Sequence, residues 1–121
     1  MEWRFTEDRP IWQQLTEQIT LHILNGEYPP GSRLPAVREL AAQAGVNPNT
    51  MQRAMAQLEQ DGLAVGSRTA GRAVTEDTAV IQAARKERAR AAVSGCLRVL
   101  EGLGYSREDA LEIVKEELRH E

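Results

Sequence analysis

The sequence predicts a mainly α-helical fold with one small β-hairpin, which places it in the α+β class. Apolar residues recur every four positions between residues 11 and 23, the spacing that forms one face of a helix. Two short extended stretches, about residues 63–66 and 72–75, flank a polar turn that contains one glycine, the pattern of a hairpin. Only five of the 121 side chains are aromatic, so we expect an aliphatic core. The length fits one domain, or one domain with an appendage.

The first helix is predicted from about Pro10 to Asn25. Proline suits the first helical position because its missing N–H has no intrahelical partner there. Asn25 and Gly26 end the helix, since both residues accept the left-handed conformation that closes a helix. A rigid turn and a short extended stretch follow at residues 28–34, and Pro35 disfavours helix in the residue before it.

The next two helices are predicted at about residues 36–44 and 48–61, and only three residues separate them. Gly45 stops the earlier helix. Asn47 as N-cap and Pro48 at the first helical position form a strong start signal for the later one. Two helices joined by a tight turn that contains glycine form a helix-turn-helix.

Beyond the hairpin, a long helix at about residues 79–101 and a last helix at about 107–119 are predicted. We place the domain boundary near residue 77, which divides the chain into residues 1–77 and a helical tail, residues 78–121. A hairpin of two amphipathic helices cannot bury both apolar faces alone, so the tail is expected to pair with a second copy of the chain.

The formal net charge of −3, taken whole, argues against a basic tail that binds nucleic acid. Its distribution is more informative. Net charge is −3 over residues 1–27, +2 over 28–75, +4 over 79–98 and −4 over 99–121, and the opposite signs in the tail suit antiparallel docking. Every positive charge before residue 86 is an arginine, the residue that best forms bidentate contacts with phosphate and guanine.

Other function classes are disfavoured by what the sequence lacks. The single cysteine, Cys96, fits a reducing compartment, and no apolar run is long enough to span a membrane or act as a signal peptide. We expect a cytoplasmic protein without membrane association. No catalytic set or metal-ligand spacing is present, so neither an enzyme nor a cofactor is expected. Trp3 and Phe5 could line a small-molecule effector site, although simple packing is the favoured interpretation.

The third predicted helix separates an apolar side from a polar one. At 100° per residue, four apolar residues share the side expected to face the core: Met51, Ala54, Met55 and Leu58. The opposite side carries Asn49, Gln52 and Arg53, with Thr50 at its edge and no acid or lysine before Glu59. In an isolated helix these residues would indicate only a cap and a solvated charge. After a helix-turn-helix turn they indicate DNA binding, because arginine can read guanine, and asparagine or glutamine adenine, in the major groove.

The hairpin behind this helix is then interpreted as a wing. Arg68 and Arg72 stand at its ends, where they would reach phosphate or the minor groove. Arg38 lies near the start of the second helix, where the helix dipole already favours a phosphate.

Residues 10–75 resemble the winged helix-turn-helix domain of the GntR family of bacterial transcription regulators, most densely from PIWQQ at residue 10 to QDGL at residue 63. The resemblance implies DNA contacts for a set of matching positions: Arg38, Asn49, Thr50, Gln52 and Arg53. Residues 67–74 depart from the family's wing, whose glycines and Thr-Phe-Val strand are partly replaced. The short tail resembles the YtrA-like branch, whose tail mainly dimerises and whose members often regulate transport genes.

These observations predict a sequence-specific DNA-binding transcription regulator. We expect a repressor that acts as a homodimer on an inverted repeat in double-stranded DNA, with a transporter operon as the target that the resemblance implies. A winged-helix module that binds proteins instead of specific DNA is the alternative, and a small-molecule effector is left open. The predicted DNA-binding residues are Arg38, Asn47, Asn49, Thr50, Gln52, Arg53, Arg68, Gly71 and Arg72.

Overall fold

A computed structural model describes residues 2–67 and 71–120 of the chain. Within that part, five helices and one antiparallel hairpin are formed, which confirms the predicted fold class. The elements are α1 (Ile11–Leu24), α2 (Val37–Ala44), α3 (Pro48–Gln60), β1 (Ala64–Ser67), β2 (Gly71–Val74), α4 (Thr78–Gly102) and α5 (Arg107–Arg119). The chain forms two compact units, one that ends at Ala84 and one that begins at Arg85.

The core of the first unit is aliphatic, as predicted. Leu15, Ile19 and Ile23 of α1 are buried, and the predicted inner face of α3 is fully enclosed, with Met51 and Leu58 at 0% exposure. Burial of apolar side chains of this size supplies the main favourable free energy that holds the helices together, about 1.5–3 kcal/mol for each fully buried side chain. The prediction for Pro10 was off by one position: it is the N-cap residue of α1 and not the first helical residue.

The turn between α2 and α3 follows its sequence signals. Gly45 adopts the left-handed conformation, with φ of 70°, and closes α2. The Asn47 side chain then caps α3, because its Oδ1 accepts a hydrogen bond of 2.7 Å from the Asn49 N–H. Pro48 lies in the first turn of α3, where a backbone N–H would have no partner within the helix, so proline loses no hydrogen bond there. These local signals fix the angle at which α3 leaves the turn.

The hairpin is held by a third extended segment. β1 and β2 pair in antiparallel register, with Gly66 opposite Arg72. On the other edge of β2, the Leu34 N–H donates to Arg72 O at 2.9 Å and the Val74 N–H donates to Ser32 O at 2.8 Å. The stretch that Pro35 keeps extended therefore pairs with β2, which anchors the hairpin beside the helix-turn-helix.

Two glutamines of α1 tie down the segment that precedes it. The Gln14 amide pairs with the backbone N–H and C=O of Thr6, at 2.8 and 2.9 Å. Gln18 pairs in the same way with the backbone of Arg4, at 3.1 and 2.7 Å. The rings of Trp3 and Phe5, on either side of Arg4 in the chain, stack on each other and pack against the core cluster, as the favoured interpretation predicted.

The second unit contains most of α4 and all of α5. Gly104, with φ of 99°, turns the chain after α4, and the Ser106 Oγ caps α5 by accepting a hydrogen bond of 3.1 Å from the Asp109 N–H. Ala110 is the one fully buried residue among those described in α5. Across the described residues, none of the helices combines the length and the apolar character that a membrane crossing requires.

Candidate nucleic-acid interface

The outer side of α3 is polar, exposed and free of acid up to Glu59. Asn49, Gln52 and Arg53 are exposed, and Thr50 at the edge is half-buried. Ala56 is exposed beside them and is small enough to let another surface approach closely. The inner side of the same helix is packed into the core, so α3 cannot rotate to hide these polar side chains without exposing its apolar residues.

The Asn47 side chain has one group that accepts hydrogen bonds and one that donates them. The side-chain oxygen, Oδ1, caps α3 by accepting from the Asn49 N–H, and the side-chain NH2 group is available to donate to an outside group. Arg38 is exposed in the first turn of α2, and the N-cap residue of that helix, Ala36, supplies no side-chain hydrogen bond. The N–H groups of that first turn point in the direction that favours an anion.

Arg53 stacks on an aromatic ring of α1. Its guanidinium carbon lies 4.2 Å from the centroid of the Trp12 ring, well within cation–π distance. Stacking uses the face of the guanidinium and leaves its N–H edge available for hydrogen bonds. The long, flexible Arg53 side chain is thereby restricted before any partner binds.

Arg72 of the wing forms an ion pair with an acidic residue of α3. The Arg72 Nε donates to Glu59 Oε1 in an ion pair, and the Arg72 side chain is 18% exposed. Gly71 is exposed at the start of β2 and adopts a positive φ of 72°, which a larger residue would resist. Arg68, the other predicted wing residue, lies outside the described residues.

The structure therefore brings the predicted residues of α2, α3 and β2 onto one unit, and it adds two that the sequence pattern did not single out. Trp12 falls beside the apolar stripe of α1, and Glu59 resembles any solvated acid near the end of a helix. Each was identifiable as an aromatic or charged residue, but not as the partner of a particular arginine.

Comparison with known proteins identifies similar chains among bacterial transcription regulators. The family model described as bacterial regulatory proteins, gntR family, matches residues 12–74. Over 115 residues the chain is 32% identical to the uncharacterized HTH-type transcriptional regulator YhcF of Bacillus subtilis, and the match covers 95% of each protein.

Two further proteins extend the comparison. The HTH-type transcriptional repressor YtrA of Bacillus subtilis is 38% identical over 68 residues, which cover 56% of this chain and about half, 52%, of YtrA. The structure of a GntR family transcriptional regulator from Listeria monocytogenes superimposes with a TM-score of 0.86 at 33% identity, over 93% of this chain and 98% of that one.

Proposed function

Because this chain belongs to the GntR family of bacterial regulatory proteins, we propose that it is a repressor that binds an inverted-repeat operator as a homodimer. The family consists of DNA-binding transcription regulators and not enzymes, and the winged helix-turn-helix is its DNA-binding part. Repression is supported by the name of the related YtrA.

The proposed DNA contact rests on one observation, which is that the apolar and the polar side chains of α3 lie on opposite sides of the helix. The inner side is buried in the core, whereas the outer side exposes Asn49, Gln52 and Arg53 without a neighbouring acid. In our proposal these three side chains enter the major groove and read base edges. Thr50, Asn47 and the other predicted residues position the domain on the sugar-phosphate backbone: Arg38 from α2, and Arg68, Gly71 and Arg72 from the wing.

We assign DNA binding to residues 1–77 and dimerisation to residues 78–121. Several large apolar side chains of the second unit are exposed in the single chain, among them Val99 at 65%, Leu103 at 69% and Leu118 at 68%. α4 and α5 also form a groove of about 300 Å³, lined by Cys96, Leu100, Ile113, Val114, Glu117 and Leu118. A second copy would remove this apolar surface from water and, by its two-fold symmetry, present two α3 helices to half-sites roughly 34–36 Å apart.

The DNA contact is tested by Arg53→Ala. An operator is first selected from a pool of random duplexes, and binding to operator and scrambled duplex is measured by fluorescence anisotropy. Loss of a base-reading arginine should reduce discrimination by about 1–3 kcal/mol, roughly 5- to 150-fold, while the sedimentation coefficient stays that of a dimer. Arg4→Ala, which removes the same charge from a side chain that is 82% exposed in the segment before α1, is the matched control.

Operator binding by Arg53→Ala at the wild-type level would remove α3 from the contact. Failure of the wild-type protein to show salt-sensitive binding to any selected palindrome would favour the alternative, a winged-helix module that binds proteins.

The dimer is tested separately by Leu103→Asp. The side chain is exposed in the single chain, so a charge there should leave the fold intact and disrupt only a covered interface. We expect sedimentation as a monomer and a loss of operator affinity of about 100-fold or more, because bivalent binding is lost. Leu21→Asp, on α1 at 55% exposure, is the control, and Leu103→Asp that remains a dimer would contradict the assignment.

A further inference from the structure

Glu59 occupies a position between the proposed base-reading helix and the wing. It lies in the last turn of α3, and its Oε1 accepts a hydrogen bond from the Nε of Arg72 on β2. With 18% of its side chain exposed, Arg72 is largely withdrawn from solvent, while Glu59 is 38% exposed. The positive charge that Arg72 contributes to the described part of the wing is therefore already paired with a carboxylate in the free protein.

The strand opposite Arg72 is shaped to admit the same carboxylate. A Cβ atom added to Gly66 would lie 2.9 Å from Glu59 Oε1, closer than such atoms approach in real proteins, and 3.2 Å from Oε2, which is a tight contact. Gly66 does not have a positive φ, so backbone conformation does not explain the glycine there. Because Gly66 and Arg72 face each other across the hairpin, Glu59 contacts both strands at a single cross-strand pair.

We propose that Glu59 is a specificity-determining residue that restrains Arg72 and thereby suppresses binding to non-operator DNA, an inference that rests on the proposed function. A DNA phosphate and the Glu59 carboxylate compete for the same guanidinium. Non-specific affinity grows with the number of phosphates that a protein neutralises, and a paired arginine neutralises none until its carboxylate is displaced. A phosphate can displace Glu59 from Arg72 only when the wing lies close to the DNA backbone. In our proposal, operator binding by α3 brings the wing that close.

The test uses full-length Glu59→Gln, which keeps the shape of the side chain and removes its charge. Binding to an operator-free duplex is measured by fluorescence anisotropy between 50 and 200 mM salt. One additional phosphate contact should steepen the slope of log affinity against log salt by about 0.9, which is an extra loss of about 3.5-fold over that fourfold range of salt. Glu59→Ala, which cannot hold Arg72 at all, should change the slope in the same direction.

Two controls separate this role from a general effect of charge. Asp61→Asn removes one negative charge two residues away, where the carboxylate accepts a hydrogen bond of 2.8 Å from Gln57 Nε2, and it should leave the slope unchanged. Arg72→Gln combined with Glu59→Gln should abolish the steeper slope, because the released guanidinium is gone.

An unchanged slope in Glu59→Gln and Glu59→Ala, with normal operator binding by the wild-type protein, would overturn the role of Glu59 alone. An equally steep slope in the double variant, or in Asp61→Asn, would also overturn it, since Arg72 would then not be involved. Uniform weakening at every salt concentration, together with a lower melting temperature, would assign Glu59 a purely structural role. Wild-type protein that binds no DNA would instead overturn the proposed function.

Discussion

Replacing Trp12 by leucine is expected to weaken operator binding without removing the DNA-binding surface. Leucine keeps an apolar side chain on α1 but has no aromatic face for the Arg53 guanidinium, which lies 4.2 Å from the ring centroid in the wild-type protein. Arg53 would then have to be ordered when DNA binds, and the entropy lost in ordering it would oppose binding.

The size of the effect follows from the exposure of the pair. Arg53 is exposed and Trp12 is half-buried, so the contact belongs to the weaker range of cation–π pairs, about 0.5–1 kcal/mol. Operator affinity should therefore fall about two- to fivefold, since 1.4 kcal/mol corresponds to a factor of ten. Arg53→Ala should weaken operator binding more, because it removes the side chain that is proposed to contact the base.

The assay is a double-mutant cycle on operator affinity, measured by fluorescence anisotropy for wild type, Trp12→Leu, Arg53→Ala and the double variant. Trp12→Phe is the matched variant, because it restores a ring and should recover most of the lost affinity. Circular dichroism melts show whether each protein is folded at the assay temperature.

Additive effects of the two substitutions would contradict this role of Trp12. If Trp12→Leu weakens operator binding equally with and without Arg53, the ring does not act through that arginine. A Trp12→Phe protein as weak as Trp12→Leu would lead to the same conclusion, since packing volume would then explain the loss.

Two further predictions concern stability. Leu58→Ala should lower the free energy of unfolding by about 2–5 kcal/mol in urea titrations, because the side chain is 0% exposed. Leu21→Ala, at an exposed site, is the control and should change the free energy of unfolding by less than about 0.5 kcal/mol. A loss below about 1 kcal/mol for Leu58→Ala would contradict the placement of Leu58 in the core. Gly45→Ala should destabilise the folded protein by about 1–2 kcal/mol, because φ is 70° at that residue. Gly95→Ala, in the interior of α4, should instead stabilise it by up to about 1 kcal/mol. Equal shifts of the melting temperature for both variants would contradict the left-handed turn at Gly45.

Signals confined to a few neighbouring residues predicted the architecture well. The helix-turn-helix turn was predictable because Gly45, Asn47 and Pro48 act through their own backbone and the next turn of helix. The inner face of α3 was predictable because helical period alone separates its two sides. The error at Pro10 is of the same local kind, since a proline fits both the N-cap and the first helical position.

Contacts between distant segments were not predictable in this way. Nothing in the sequence near Leu34 indicates that this extended stretch pairs with β2, because its hydrogen-bond partners, Arg72 and Val74, lie far away along the chain. The Trp12–Arg53 stack and the Glu59–Arg72 ion pair likewise depend on the packing of whole elements. The side chains proposed to contact DNA were thus predicted from helical periodicity and from the family resemblance, whereas the contacts that hold each arginine required the structure.

The two arginines are held in chemically different ways, and the difference bears on specificity. Trp12 covers the face of the Arg53 guanidinium, which leaves the edge that forms paired hydrogen bonds with guanine free. Glu59 instead accepts from the Nε of Arg72, so a DNA phosphate would have to replace an existing ion pair to bind there. In a chain whose net charge is −3, the proposed contacts would favour base reading over a contact that any DNA sequence would satisfy. Affinity for the operator should then depend on α3 and on two half-sites bound together, more than on the total positive charge of the domain.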